Sequence, residues 1–210
     1  MSAPRLLLCG FGSFPEAPLN PSAAVVASLA REAWSPAGVD IDFLPLPVQW
    51  KGSVETILRQ LQARPAEAVL VVGVAVEAEA FRIEHRGRNR AARERPDHAG
   101  RVWEQAFIDG AGAEELAATA PCAAMLAAIA AQGLPAVRSD DAGDYLCNFT
   151  LYRLLATGAA ARVGFLHVPQ ARECAEGAAF SVDQIRQAVC AAATAFAGVL
   201  SRPAAEPHRA

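Results

Sequence analysis

A single-domain α/β fold, three layers deep with helices on both faces of a mainly parallel twisted sheet, is predicted by three features of this 210-residue chain. Short β-type apolar runs alternate with longer helical patterns, as in strands joined by crossover helices. At least one run, Ala68–Val72, is apolar throughout and ends at Gly73, as expected of a strand covered on both faces. No internal repeat or low-complexity linker divides the chain. Residues 1–201 therefore form one domain in this reading, and residues 202–210 a frayed tail.

The elements follow in order. Leu6–Cys9 reads as a strand, followed by a glycine-aromatic loop, Gly10-Phe11-Gly12-Ser13-Phe14-Pro15. Asn20-Pro21-Ser22 opens a helix to about Ala33, with proline in the first turn, where its missing N–H costs nothing. Val39–Leu46 reads as a strand and Trp50–Ala63 as a helix. Residues 77–101 are polar and irregular apart from the alternation Phe81-Arg82-Ile83-Glu84. Residues 114–132 are alanine-rich and helical, interrupted by Pro121. A short strand near residues 136–138 leads to a helix around Cys147, then a strand over 161–168 and a final helix over 181–200.

A chain 53% hydrophobic and 20% charged is that of a globular protein with a full core. Its net charge of −3 provides no basic field for nucleic acid. Arg82, Arg86, Arg88, Arg90, Arg93, Arg95 and Arg101 form a local exception, read as a solvated or subunit-facing strip. The longest apolar stretch, residues 188–200, falls short of a membrane span, and the first strand-like run is too short for a signal-peptide core. Five scattered cysteines (9, 122, 147, 174, 190) make neither a disulfide framework nor CxxC metal spacing. A reducing compartment, by default the cytoplasm, is expected.

The chemistry concentrates in two stretches. Gly143-Asp144-Tyr145-Leu146-Cys147-Asn148 reads as a turn opening a helix, with Asp144 as N-cap and Cys147 three residues in. A thiol there feels the positive end of the macrodipole, which favours the thiolate. Val163-Gly164-Phe165-Leu166-His167-Val168-Pro169 reads as a buried strand ending on an imidazole. A thiol at a helix start and a histidine at a strand's carboxyl end are the halves of a cysteine nucleophile and its base. Of the other histidines, His208 is in the tail, and His85 and His98 lie in the arginine-rich region. Glu84, Asp140, Asp141 and Asp144 all remain open as the carboxylate that would orient the imidazole. Pro15 takes the place of the third glycine of a dinucleotide fingerprint, so the Gly10 loop is not read as a nucleotide site.

Together these residues resemble pyroglutamyl peptidase type I, the pyrrolidone-carboxylate peptidases. Gly10-Phe11-x-x-Phe14 with Asn20-Pro21-Ser22 is similar to that family's N-terminal loop, and Leu46-Pro47-Val48 to its next strand end. Ile83-Glu84-His85, with Asn89 five residues after the glutamate, is similar to the stretch holding its catalytic glutamate. Asp144-Tyr145-Leu146-Cys147-Asn148 and Phe165-Leu166-His167-Val168-Pro169 resemble its cysteine and histidine motifs.

The resemblance implies a phosphorylase/hydrolase-like α/β fold, with Cys147 as nucleophile, His167 as general base and acid, and Glu84 as the orienting carboxylate. Phe11, Phe14, Asn20, Val48, Tyr145 and Leu146 would form the pyrrolidone pocket. The implied reaction removes an N-terminal pyroglutamyl residue from a blocked peptide through a thioester. No metal or organic cofactor is expected, the compartment is the cytoplasm, and the assembly is a homo-oligomer, often a tetramer.

The chain departs from the family pattern in one region. The family's G-x-A-G-G-R stands against Gly73-Val74-Ala75-Val76-Glu77-Ala78. Counting from Glu84, the family's later arginine becomes Glu94, which disfavours a nearby thiolate unless Arg93 or Arg95 turns in. A pocket for a neutral lactam is expected to be apolar-walled, with no charge facing the ring. Two further readings are a cysteine amidohydrolase acting on a different small cyclic or acyl amide, and a catalytically silent member acting by binding. The joint presence of Glu84, Cys147 and His167 argues against silence.

Overall fold

A computed structural model describes residues 3–15 and 17–200; the tail expected over 202–210 lies outside the described residues. Four strands run parallel, β1 (Arg5–Phe11), β2 (Asp40–Leu46), β3 (Ala68–Val74) and β8 (Arg162–Val168). They continue into β4 (Phe81–Glu84), antiparallel to β8, and β7 (Ala136–Ser139), parallel to β4. The six-stranded order is β2-β1-β3-β8-β4-β7. The sheet is mainly parallel, as the sequence predicts, with a reversed pair at one side.

Helices cover both faces. On one lie α1 (Pro21–Arg31), α3 (Cys122–Ala130) and α5 (Val182–Leu200), burying Val25, Met125, Ile129 and Phe196 against Leu8, Leu70 and Leu166. On the other lie α2 (Ser53–Ala63) and α4 (Leu146–Thr157), burying Ile57, Phe149 and Leu154 against Leu7, Val71 and Phe165. Successive residues of β8 thus feed opposite cores, which explains its unbroken apolar run. Asn20 caps α1: its Oδ1 accepts from the Ser22 N–H at 3.0 Å, with Pro21 in the first turn. Among the described residues no helix is long and apolar enough to cross a membrane.

Two expectations are corrected. The alanine-rich stretch from 114 is not helical before Pro121, which stands at the N-cap of α3. Glu115–Ala117 instead forms β6, antiparallel to β5 (Arg86–Arg88), and the Thr119 and Ala120 N–H groups both reach the Val163 carbonyl at 3.1 Å. Helix propensity gives way to pairing because proline denies any preceding residues a continuous ladder into α3. The second concerns α2, which begins at Ser53 rather than Trp50, because its N-cap Gly52, at φ 158°, lies outside the helical region.

The polar segment after β3 is ordered by buried side chains. Asn89 Oδ1 accepts from the N–H groups of Ile108 and Asp109, both at 2.9 Å, and Asp97 Oδ1 from those of Ala99 and Arg101. Asn148 on α4 accepts from the Arg88 N–H and donates to the Arg88 and Arg90 carbonyls at 2.8–2.9 Å. An irregular backbone can be held this way because these side chains give its buried N–H and C=O groups partners.

Candidate active site

β8 and β4 bring the first two functional groups together. Pairing sets Arg82 opposite His167 and Glu84 opposite Phe165. Alternation turns Phe81 and Ile83 into one core and Arg82 and Glu84 to the other face, shared with Phe165 and His167. Glu84 is then a diagonal neighbour of His167, within reach of a long side chain. Its Oε1 lies 2.7 Å from His167 Nδ1. Both groups are buried, Glu84 at 0% and His167 at 5% exposure. The other carboxylates left open by the sequence are elsewhere: Asp140 holds Arg86 and Arg138, Asp141 holds Arg88 and Arg90, and Asp144 is exposed.

α4 delivers the thiol. Cys147 is its second residue, and its sulfur lies close enough to His167 to act on the imidazole. Asp144 is not the cap: Tyr145 occupies that position without a side-chain capping bond, and the Asp144 carbonyl accepts from the Ala92 N–H at 2.6 Å. The start of α4 is thereby left without a side-chain acceptor, so the dipole acts on the thiol uncompensated by a capping carboxylate. Gly73, register partner of His167 on β3, makes the room. A Cβ there would stand 2.9 Å from Phe165 Cζ and 3.1 Å from Cys147 Sγ.

Burial, the largest single influence on His167, would push it down, but the Cys147 sulfur and then the Glu84 carboxylate raise it to about 9. The imidazole is therefore held in its protonated form near neutral pH, between a sulfur and a carboxylate. The remaining thiols differ: burial pushes up Cys9, Cys122, Cys174 and Cys190 alike.

The three side chains meet a cavity of about 770 Å³, which Cys147 and His167 line and behind which Glu84 is buried. Phe11, Phe14, Asn20, Val48, Tyr145 and Leu146 all line it too, from the ends of β1, β2 and the start of α4. Asn20 is largely occupied in holding the loop, donating to the Gly12 carbonyl at 2.8 Å while its Oδ1 takes two bonds from Ser22. Tyr145 donates from its hydroxyl to the Pro96 carbonyl at 2.8 Å and packs edge-on against Trp50.

The cavity is not free of charge, contrary to the simplest expectation for a neutral ring. Arg82, Arg95, Glu77, Asp141 and Asp144 also line it, whereas Glu94 does not. The Arg95 guanidinium carbon sits 4.1 Å over the Tyr145 ring, so Arg95 is the arginine that turns in. The arginine strip is divided: Arg86, Arg88 and Arg90 form surface ion pairs with Glu115, Asp140 and Asp141, while Arg82 and Arg95 face the cavity. Sequence reasoning missed Arg82 as a site residue. Strand alternation from Glu84 was the signal that places both on one face. Among the described residues no group of three or more His, Cys, Asp or Glu side chains is placed to hold a metal ion.

The likenesses of the chain agree with this geometry. The chain is 32% identical to the pyrrolidone-carboxylate peptidase of Chromobacterium violaceum over 164 residues, 78% of this chain and 77% of that one. It is 33% identical to that of Deinococcus radiodurans over 171 residues, 79% and 78% of the two chains. The solved pyroglutamyl peptidase I of Bacillus amyloliquefaciens superposes with a TM-score of 0.85 over 94% of this chain and 96% of its own, at 24% identity, a likeness of fold. The family model described as pyroglutamyl peptidase matches residues 4–198. With nearly its whole length matched and relatives above 30% identity, the chain belongs to the pyroglutamyl peptidase family.

Proposed function

We infer that the protein is a cysteine exopeptidase that removes N-terminal pyroglutamyl residues from peptides. The observation that carries this reading is the hydrogen-bonded His167–Glu84 pair beside Cys147, with thiol and imidazole both opening on a cavity at the strands' carboxyl ends. The Cys147 thiolate attacks the carbonyl carbon of the pyroglutamyl amide. The uncapped first-turn N–H groups of α4 stabilise the developing oxyanion. His167 gives its proton to the leaving nitrogen, so the C–N bond breaks and a thioester remains. His167 then takes a proton from water, whose oxygen attacks the thioester; the C–S bond breaks, releasing pyroglutamic acid and restoring the Cys147 thiolate beside protonated His167. Glu84 keeps Nδ1 protonated and Nε2 turned towards sulfur.

Phe11, Phe14, Val48 and Leu146 would wall the lactam ring, with Asn20 and Tyr145 bracing the loops that carry them. A cytoplasmic location and a homo-oligomeric, tetrameric state rest on the family resemblance alone. The charged wall favours a second reading, an amidohydrolase of the same chemistry on an acyl group bearing its own charge, met by Arg82 or Arg95. Turnover of a pyroglutamyl-amide reporter beside glutamyl, prolyl and alanyl reporters separates the two. Burying the unpaired charge of a glutamyl or prolyl terminus costs several kcal/mol, so a neutral pocket rejects both. Preference for a charged reporter would overturn the first reading in favour of the second.

A further inference from the structure

We propose that Arg82 is a positioning residue that couples Glu84 to the turn leading into the Cys147 helix. The inference rests on the cysteine-peptidase reading above and concerns a group that reading does not use.

Glu84 is a carboxylate with no exposure, and its Oε2 has no hydrogen-bond partner. A charge so placed is tolerated only beside opposite charge. Among the described residues its ion-pair partners are His167 and Arg82, whose Nε lies 3.7 Å from Oε1, the oxygen that meets the imidazole. Arg82 is thus the fixed cation of the pair, charged whether or not His167 carries its proton.

The other end of the same guanidinium reaches the turn. Arg82 Nη2 donates to Ser139 Oγ at 2.9 Å and to the Asp141 carbonyl at 3.0 Å. Ser139 and Asp141 are bonded to each other, and the Asp141 carboxylate accepts from the Gly143 N–H at 3.0 Å, two residues before the N-cap of α4. One planar fork therefore spans the carboxylate behind the base and the turn that sets where the nucleophile's helix begins. A lysine could supply the charge but not both sets of bonds. Other groups facing this region are His85 next to Glu84, with Arg138 and Asp140 around it, and Cys147 beyond His167. None of these side chains bridges the Glu84 carboxylate to the turn, although the His85 backbone N–H donates to the Ser139 carbonyl at 2.7 Å.

The test compares wild type, Arg82→Met and Arg82→Lys by the pH dependence of Cys147 alkylation with iodoacetamide, with thermal unfolding in parallel. Alkylation needs no substrate. In Arg82→Met the buried pair loses its fixed cation, and the acid limb should move up by about one pH unit. In Arg82→Lys the limb should return towards wild type while the plateau rate stays several-fold low, since the fork is lost. A residue of purely structural importance would lower the unfolding temperature and leave the limb in place. Superimposable profiles for Arg82→Met and wild type overturn the proposal, as does a fully wild-type plateau in Arg82→Lys should the methionine variant not fold. Failure of the wild type to hydrolyse the pyroglutamyl reporter counts against the proposed function and leaves this measurement intact.

Discussion

Gly73→Ala probes the geometry of the site with one carbon atom. Gly73 does not have a left-handed backbone, so alanine suits its strand conformation and the cost is steric. The new methyl would stand 2.9 Å from Phe165 Cζ, 3.1 Å from Phe165 Cε1 and 3.1 Å from Cys147 Sγ. Comfortable carbon contacts begin near ~3.5 Å, so each neighbour must yield by several tenths of an ångström. Phe165 has no exposure and packs between the sheet and α4, whereas the thiol borders the cavity. The buried Phe165 ring must give at a cost in stability, and the sulfur, which has the cavity beside it, is displaced from its place next to His167. Overpacking of this kind costs about 1–3 kcal/mol of stability. A misplacement of ~1 Å can cost about 100-fold in rate, so a shift of half that should cost on the order of 10-fold in kcat/KM. Thermal unfolding and pyroglutamyl-reporter kinetics read the two effects, with iodoacetamide labelling reporting the thiol directly. An alanine variant with wild-type kcat/KM and labelling would refute the placement of the thiol against Gly73.

Cys147→Ala should abolish hydrolysis with the fold intact, and iodoacetamide should label Cys147 faster than the four thiols that burial pushes up; a Cys147→Ala protein active at the wild-type rate would exclude it as nucleophile. His167 is raised to about 9, so its proton is retained at neutral pH and activity should fall as pH rises through that value. Glu84→Gln keeps an acceptor for Nδ1 but removes the anion, which lowers the histidine, so the alkaline limb should move to lower pH; an unmoved limb in kcat/KM against pH would deny Glu84 its electrostatic part. Asn148→Ala strands the Arg88 N–H and the Arg90 carbonyl, while the Arg88 carbonyl keeps the Arg90 N–H, and should cost about 1–3 kcal/mol in chemical denaturation.

What the sequence determined by itself is local. Apolar runs, caps and breakers are written in neighbouring residues, so the strands at Leu6, Ala68 and Val163 and the Asn20-Pro21 helix start were all legible. The thiol at the head of α4 and the imidazole at the end of β8 were legible for the same reason. The choice of Glu84 over Asp140, Asp141 and Asp144 was not legible from periodicity, because it depends on β4 running antiparallel beside β8 in a register that sets Glu84 diagonal to His167. Resemblance to a family pointed to it; pairing explains it. Helix propensity misled over 114–120, where pairing with the distant strand β5, Gly87 opposite Leu116, outweighs alanine's preference. The Asp144 cap failed similarly: Tyr145 takes that place while the Asp144 carbonyl is bonded to Ala92. Likewise, an arginine-rich stretch carries no statement of which guanidinium faces a cavity. Only tertiary structure sends Arg86, Arg88 and Arg90 to surface carboxylates and turns Arg82 and Arg95 inward, because direction is set by partners distant in sequence.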